Sequence, residues 1–279
     1  MLLLVQYTLI FSSVLILVAL GGCFSEHSGV INLGLEGIMV IGALGGALAM
    51  RAMPAGTSAF LVVLLTLLGT AAATVFVKAI NTAANPNDHS ATIQYIEPKK
   101  AFIVKMGSFE FNWFMVIVLV ILVLAYVILY KTKFGLRLMA CGEHPQAAGS
   151  VGINVFKMRW SGVLISGMLG GLGGICYILA GVSEWKFENG VAGFGFLALA
   201  VMIFGQWKPQ RIALAALLFG FFRALSNVYF GFDWLVSLNI PGTVYNMMPY
   251  IVSLIVLALT SGQSRAPKAE GIPYDKGMR

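Results

Sequence analysis

The strongest constraint on this chain is the recurrence of apolar runs about as long as a bilayer is thick. A helix that crosses the hydrocarbon core takes about 20 mostly apolar residues, and runs of that order lie at 4–22, 34–53, 58–79, 112–130, 160–181, 191–206, 210–228 and 244–261. The run at 191–206 is short, and Trp207-Lys208-Pro209-Gln210-Arg211 reads as a tight turn dividing it from the next. Only 10% of the 279 residues are charged and 59% are hydrophobic, against about 25% charged in a soluble domain. So few charges cannot solvate the surface of a soluble sphere, which excludes a soluble enzyme and a disordered chain. The net charge of +7 does not make a nucleic-acid-binding module either, because the basic residues fall between apolar runs. The expected fold class is all-α, a polytopic integral membrane protein of about eight transmembrane helices. Residues 1–261 form its membrane domain, 131–159 a cytoplasmic loop within it, and 262–279 a cytoplasmic tail.

Lys and Arg resist translocation, so their distribution predicts orientation. With both termini cytoplasmic, twelve basic residues fall inside: Arg51, Lys131, Lys133, Arg137, Lys157, Arg159, Lys208, Arg211, Arg265, Lys268, Lys276 and Arg279. The outer segments then hold Lys99, Lys100, Lys105 and Lys186, offset by acidic residues that include Glu26, Asp88 and Asp233. Leu20-Gly21-Gly22-Cys23 has the form of a lipoprotein cleavage box. The first run lacks the basic start of a cleaved signal, so a retained helix is expected. Cys23, Cys141 and Cys176 are too widely spaced for a disulfide framework or a zinc site and read as packing residues.

Two segments share the form polar, Gly, Val, two variable residues, large apolar, Gly, large apolar. They are Ser28-Gly29-Val30-Ile31-Asn32-Leu33-Gly34-Leu35 and Asn189-Gly190-Val191-Ala192-Gly193-Phe194-Gly195-Phe196. Placed at the outer starts of two inward-running spans, they predict a parallel internal repeat with Gly-rich, broken helices. Transporters bind substrate at such repeat interfaces, where interrupted helices bare backbone groups. The glycine clusters 42–46 and 167–174 read as close helix packing.

Ionisable groups inside a span are costly and mark functional candidates. Glu36 and Arg223 fall at similar depth, where they could pair. Asn32 and Asn227 bring amide groups suited to a polar substrate, and equally to a helix end or an interhelix bond. Of the outer aromatics, Trp185 and Phe187 fit an interfacial belt, while Phe194 and Phe196 are available to stack on a planar ligand. The candidate substrate-binding residues are therefore Asn32, Glu36, Phe194, Phe196 and Asn227. His27, His89 and His144 are far apart and show no metal spacing.

Between the fourth and fifth runs, Pro145 to Ile153 can form a short helix lying on the membrane face. Gln146-Ala147-Ala148, three residues and Gly152 resemble the Glu-Ala-Ala-x-x-x-Gly coupling motif of ABC importer permeases, with Gln146 at the motif's acidic position. Residues 25–39, Phe134-Gly135-Leu136-Arg137 with Gly142-Glu143-His144-Pro145, and Gly193-Phe194-Gly195-Phe196 through Gly205 to Leu217-Leu218-Phe219-Gly220 resemble the nucleoside and simple-sugar permeases of the ribose and branched-chain amino-acid importer superfamily. Relatives carry a further helical pair's worth of chain before the segment beginning Leu68-Gly69-Thr70-Ala71.

The resemblance implies a multi-pass permease subunit of the bacterial inner membrane working by alternating access. Its substrate would be nucleosides or, as an alternative, a simple sugar such as ribose. Glu143, Pro145, Gln146, Ala147, Ala148 and Gly152 would couple it to an ATPase. It implies no catalytic residue, metal or cofactor in this chain, with ATP bound by a partner; the chain contains no Gly-x-x-x-x-Gly-Lys-Ser/Thr phosphate cradle. The implied partners are ABC ATPase subunits, a second related permease, an extracytoplasmic substrate-binding lipoprotein and membrane lipid. Two rival classes are an ion-coupled secondary transporter with Glu36 as its coupling site and a structural or assembly membrane protein.

Overall fold

The computed structural model describes residues 1–53, 92–94, 103–106, 109–179, 184–186, 190–260 and 265–275, with isolated positions between 58 and 68. The helices in chain order are α1 (Leu2–His27), α2 (Leu35–Ala52), α3 (Trp113–Lys131), α4 (Lys133–Glu143), α5 (Pro145–Ser150), α6 (Val155–Leu179), α7 (Phe194–Phe204), α8 (Pro209–Val228), α9 (Asp233–Ser237) and α10 (Gly242–Thr260). Among the described residues, four are long and apolar enough to cross a membrane: α1, α3, α6, and α8 with the 3-10 turn that follows it. Shorter apolar helices lie at Leu35–Met50, Phe194–Phe204 and Gly242–Val256. These seven correspond to seven of the apolar runs; the run at 58–79 lies outside the described residues apart from isolated positions.

Two small antiparallel ladders add to the helical expectation. β1 (Thr92–Gln94) pairs with β4 (Glu184–Lys186), and β2 (Ile103–Met106) pairs with β3 (Phe109–Asn112). Trp185 lies in β4, and Phe187 lies outside the described residues.

α1 is the hub of the bundle. Every residue from Ile10 to Glu26 is buried, as expected of a helix that is apolar all round. Its hydroxyls do not demand outside partners: Ser12 donates to the Thr8 carbonyl at 2.6 Å and Ser13 to the Leu9 carbonyl at 2.8 Å. The glycines of α6 let neighbouring backbones approach, as their spacing predicts. A Cβ at Gly42 would stand 2.4 Å from Gly171 Cα, and one at Gly174 would stand 2.0 Å from the Met39 carbonyl. Gly167, by contrast, faces open space.

The contacts establish the direction of each helix. Along α6, Gly162 meets Ser28, Gly170 meets Ile38 and Gly173 meets Val18, while Gly174 meets Met39. α1 is therefore antiparallel to α6, and α2 is parallel to it. α7 follows α1, since Phe194 lies 5.7 Å from Phe11 and Met202 lies against Gly22. α8 opposes α1, because Gly220 meets Ser12 whereas Trp207, just before α8, bonds Cys23.

Three expectations are corrected by these directions. α2 and α7, which carry the two glycine motifs, run antiparallel, so the motifs are not related as a parallel repeat. The end of α1 lies with the tail, where Gly271 N–H donates to the Gly29 carbonyl at 3.1 Å. The start of α1 is about 39 Å away along a 26-residue helix. The two ends of the chain thus lie at opposite ends of the bundle rather than on one face. That arrangement requires an odd number of net crossings, which eight does not satisfy.

The physical reason is that no basic residue precedes Arg51, so loop charge does not orient the first two helices. Of the other eleven basic residues, the nine that are described, from Lys131 to Lys268, gather at the end that holds the tail.

Basic loops are expected on the cytoplasmic side, which would put Leu2 at the exterior. Cys23, Cys141 and Cys176 are buried, so they give a quiet background for thiol labelling. Leu2→Cys should react with a membrane-impermeant maleimide in intact cells, and Lys268→Cys only after permeabilisation; the opposite pattern would refute this orientation.

Candidate functional site

Between α1 and α2 the chain leaves helical geometry. Asn32 Nδ2 donates to Ser166 Oγ at 2.8 Å, and Asn32 Oδ1 accepts from Gly34 N–H at 3.1 Å. Ser166 lies eleven residues into α6, about 16 Å along its axis, so this is irregular backbone at membrane depth. Such backbone is tolerated only where protein or a wet cavity satisfies its polar groups. Asn32 does so from its side chain, and Ser25 Oγ does so at the Val30 carbonyl, 2.8 Å away.

A matching break precedes α7. Ala192 and Gly193 take φ of 53° and 75°, turning the chain so that the first N–H groups of α7 point at α2. The Glu36 carboxylate accepts from Gly193 N–H at 2.9 Å and from Gly195 N–H at 2.6 Å. Glu36 is itself in the first turn of α2, so one negative charge lies at the positive ends of two helices. Tyr250 in α10 closes the turn by donating to the Ala192 carbonyl at 2.9 Å.

This geometry corrects the Glu36–Arg223 pairing. Glu36 is occupied by backbone donors, and among the described residues no ion pair joins it to Arg223. Arg223 lies instead with its guanidinium carbon 5.4 Å from the Phe194 ring centroid, a cation–π placement, and its Nε has no hydrogen-bond partner.

The five candidate substrate residues are not equally placed. Asn32, Glu36 and Phe194 converge on the junction of the two broken helices. Phe194 is 1% exposed and packs between Phe11 and Tyr177, whose ring centroid is 5.1 Å away. Phe196 is 62% exposed, and Asn227 is exposed and donates back to the Arg223 carbonyl of its own helix at 3.0 Å.

At the basic end, Pro145 starts α5 at a position where its missing N–H is harmless. Pro145 and Ala148 are buried, the latter packed with Cys141 and Val155. Glu143, Gln146, Ala147 and Gly152 are exposed. Gly152 takes φ of 84° with open space around it, so glycine serves backbone geometry there as well as small size. Gln146, Gly152, Asn154, Tyr274 and Asp275 help line an open cleft of about 650 Å³. Burial pushes the Cys141 thiol up, with Arg159 opposing, which keeps it a neutral packing group.

Sequence reasoning missed a second polar cluster beside this helix. Trp207, 4% exposed, donates through Nε1 to Glu26 Oε2, and its carbonyl accepts from His27 Nε2 at 3.0 Å and from Cys23 Sγ at 3.2 Å. Glu26, counted among the outer acids, is 4% exposed at the basic end. The available signal was an acidic residue and a histidine closing an apolar run.

Removing the carboxylate strands two N–H groups in a largely dry site, each bond to a charged group contributing about 1.5–3 kcal/mol. Glu36→Ala should therefore cost about 3 kcal/mol or more, and Glu36→Gln, which keeps one acceptor oxygen, less. Thermal melts of the purified protein check the order; an unchanged melt for Glu36→Ala would show that the carboxylate does not hold the junction.

Comparison with known proteins places this chain in a family. A family model described as branched-chain amino acid transport system / permease component matches residues 73–260. The chain is 36% identical to the guanosine ABC transporter permease protein NupQ of Bacillus subtilis, over 99% of this chain and 97% of that protein. It is 35% identical to the nucleoside ABC transporter permease protein NupC of Lactococcus lactis, over 96% and 95%. It is 23% identical to NupB, a nucleoside ABC transporter permease protein of the same organism, over 62% and 49%. The alignment with NupQ runs over 312 positions, more than the 279 residues present here, so the relative carries chain with no counterpart in this protein. No solved structure matches. With a family model covering more than half its length and two relatives matched almost end to end, the chain belongs to the branched-chain amino acid transport system / permease component family.

Proposed function

We propose that this chain is the membrane-spanning subunit of an ATP-driven importer of nucleosides. The observation that carries the reading is its near full-length similarity to guanosine and nucleoside permease proteins. The broken helices α2 and α7, meeting at Glu36, supply the interrupted backbone on which a small polar substrate can be held at membrane depth. Asn32 and Glu36 line that junction, with the exposed Phe196 beside it as the candidate stacking group, Phe194 packed behind it between Phe11 and Tyr177, and Asn227 farther along α8.

In this reading the seven described apolar helices cross the membrane. The protein lies in the bacterial inner membrane with the tail in the cytoplasm. ATP is bound by separate ATPase subunits that engage α5 and its neighbours Glu143, Pro145, Gln146, Ala147, Ala148 and Gly152. That both NupB and NupC resemble the chain supports a second, related permease in the assembly, and a substrate-binding lipoprotein delivers the substrate. The ATPase cycle drives alternating access only to the extent that its nucleotide states bind the two permease conformations differently. An ion-coupled mechanism would need Glu36 as its site, and that carboxylate already accepts two backbone N–H groups.

Cells expressing this chain with its ATPase and binding protein should accumulate labelled guanosine in an ATP-dependent manner, with excess nucleosides competing and ribose not competing. Competition by ribose with no effect of nucleosides would replace this reading with the sugar alternative. Ala147→Trp is the sharper coupling variant, because Ala147 is exposed on a helix whereas any side chain at Gly152 strains a left-handed backbone. It should leave membrane insertion intact and reduce uptake by about tenfold or more, equivalent to about 1.4 kcal/mol of lost coupling; normal uptake would make this loop a simple connector.

A further inference from the structure

The tail, which the functional reading leaves without a role, lies across the basic end as a non-helical segment with a turn at 268–271 and with Pro267 and Ala269 buried. Within a few residues it bonds three separate parts of the bundle. Ala269 N–H donates to the Gly142 carbonyl at the end of α4 at 2.8 Å, and Gly271 N–H donates to the Gly29 carbonyl just past α1 at 3.1 Å. Arg159 of α6 donates from Nη2 to the Ile272 carbonyl at 2.9 Å. The Glu270 carboxyl comes close to Glu26 at the end of α1, and burial pushes it up. Gly271 has φ of 72°, and a Cβ there would approach Ile31 Cδ1 to 2.8 Å, so the turn that brings the tail onto the 28–34 segment requires glycine.

At its far end the tail reaches the coupling helix. The Tyr274 ring lies edge-on to Phe156, 5.4 Å between centroids, and its hydroxyl covers Gly149 in α5. α5 has only six residues, too few to hold helical form without tertiary support. On its other side it is anchored by the buried Pro145 and Ala148, and it is followed by an exposed turn that pivots on Gly152.

We propose that residues 265–275 act as a strap that fastens α5 to the end of α1. A displacement of α5 is then passed to the segment 28–36 instead of being absorbed in the turn at 151–154. Tyr274 is the positioning residue at the α5 end, and the Gly271–Gly29 bond is the attachment at the other. From Gly29 the chain leads through Asn32 to Glu36 and so to the N-terminus of α7. This inference rests on the importer reading, since it concerns how ATPase movement reaches the broken helices.

The test uses the assembled complex in membrane vesicles and reads nucleoside molecules taken up per ATP hydrolysed, with assembly measured beside it. Tyr274→Ala should lower that ratio by about fivefold or more, the low end of coupling between sites, with ATPase activity and assembly retained. Tyr274→Phe keeps the ring on Phe156 and should keep the ratio. An unchanged ratio in Tyr274→Ala would overturn the strap, as would loss of assembly, which would make the tail part of the ATPase docking surface instead.

A second measurement does not depend on transport. Gly149→Cys combined with Tyr274→Cys should cross-link readily with a short bifunctional thiol reagent, and failure to cross-link in every nucleotide state would overturn the placement. If the unmodified complex shows no ATP-driven nucleoside uptake while this cross-link forms, the importer reading fails and the tail's attachment to α5 stands.

Discussion

Backbone N–H groups at membrane depth have no water to bond, and this protein interrupts two helices there. The Glu36 carboxylate resolves the larger part of the problem by accepting from Gly193 and Gly195. Its charge is stabilised by the N-terminal ends of α2 and α7 together, so an acidic residue that would be costly alone becomes a fastening between two broken segments 157 residues apart in sequence. In the first break Asn32 accepts from Gly34 N–H, Ser25 donates to the Val30 carbonyl, and the Asn32 amide is held by Ser166. With these bonds in place the chain can reverse inside the bundle instead of at its surface, and α2 and α7 can leave the junction in opposite directions.

Packing around this junction depends on α1 and α6. A helix apolar on every side gains nothing from lipid that it would not gain from protein, so close association in a membrane relies on shape and dispersion. The glycines of α6 provide the shape. Gly171 and Gly174 bring α2 close enough for backbone contact, and Gly162, Gly170 and Gly173 make room for the side chains of Ser28, Ile38 and Val18. The consequence is a closely packed group of α1, α2 and α6 from which the 28–36 segment leads, and to which the basic end is connected through Glu26, Trp207 and the tail.

The membrane class, the approximate place of seven apolar helices, the turn before α8, the short helix at Pro145–Ser150 and the packing use of most α6 glycines were all legible in the amino-acid sequence. Each follows from a local property: run length, the position of proline, or the absence of a side chain. The motifs around residues 25–39 and 143–152 likewise carried the family resemblance, because they are contiguous.

What only the tertiary structure decided was direction and partnership. Hydropathy along a chain has no sign, so an apolar run reads the same whichever way it crosses. The sign comes from flanking Lys and Arg, and none precedes Arg51, so α1 and α2 took their direction from packing against α6. For the same reason Glu26 moved to the basic end and the two glycine motifs became antiparallel. Glu36 chose backbone donors over Arg223 because a helix N-terminus presents fixed, already aligned N–H groups, and no rule of sequence spacing reports a partner that arrives from a distant turn. The tail's attachment to Gly29, Gly142 and Tyr274's place over Gly149 were equally hidden, since a polar segment after the last apolar run carries no local mark of the surface it will cover.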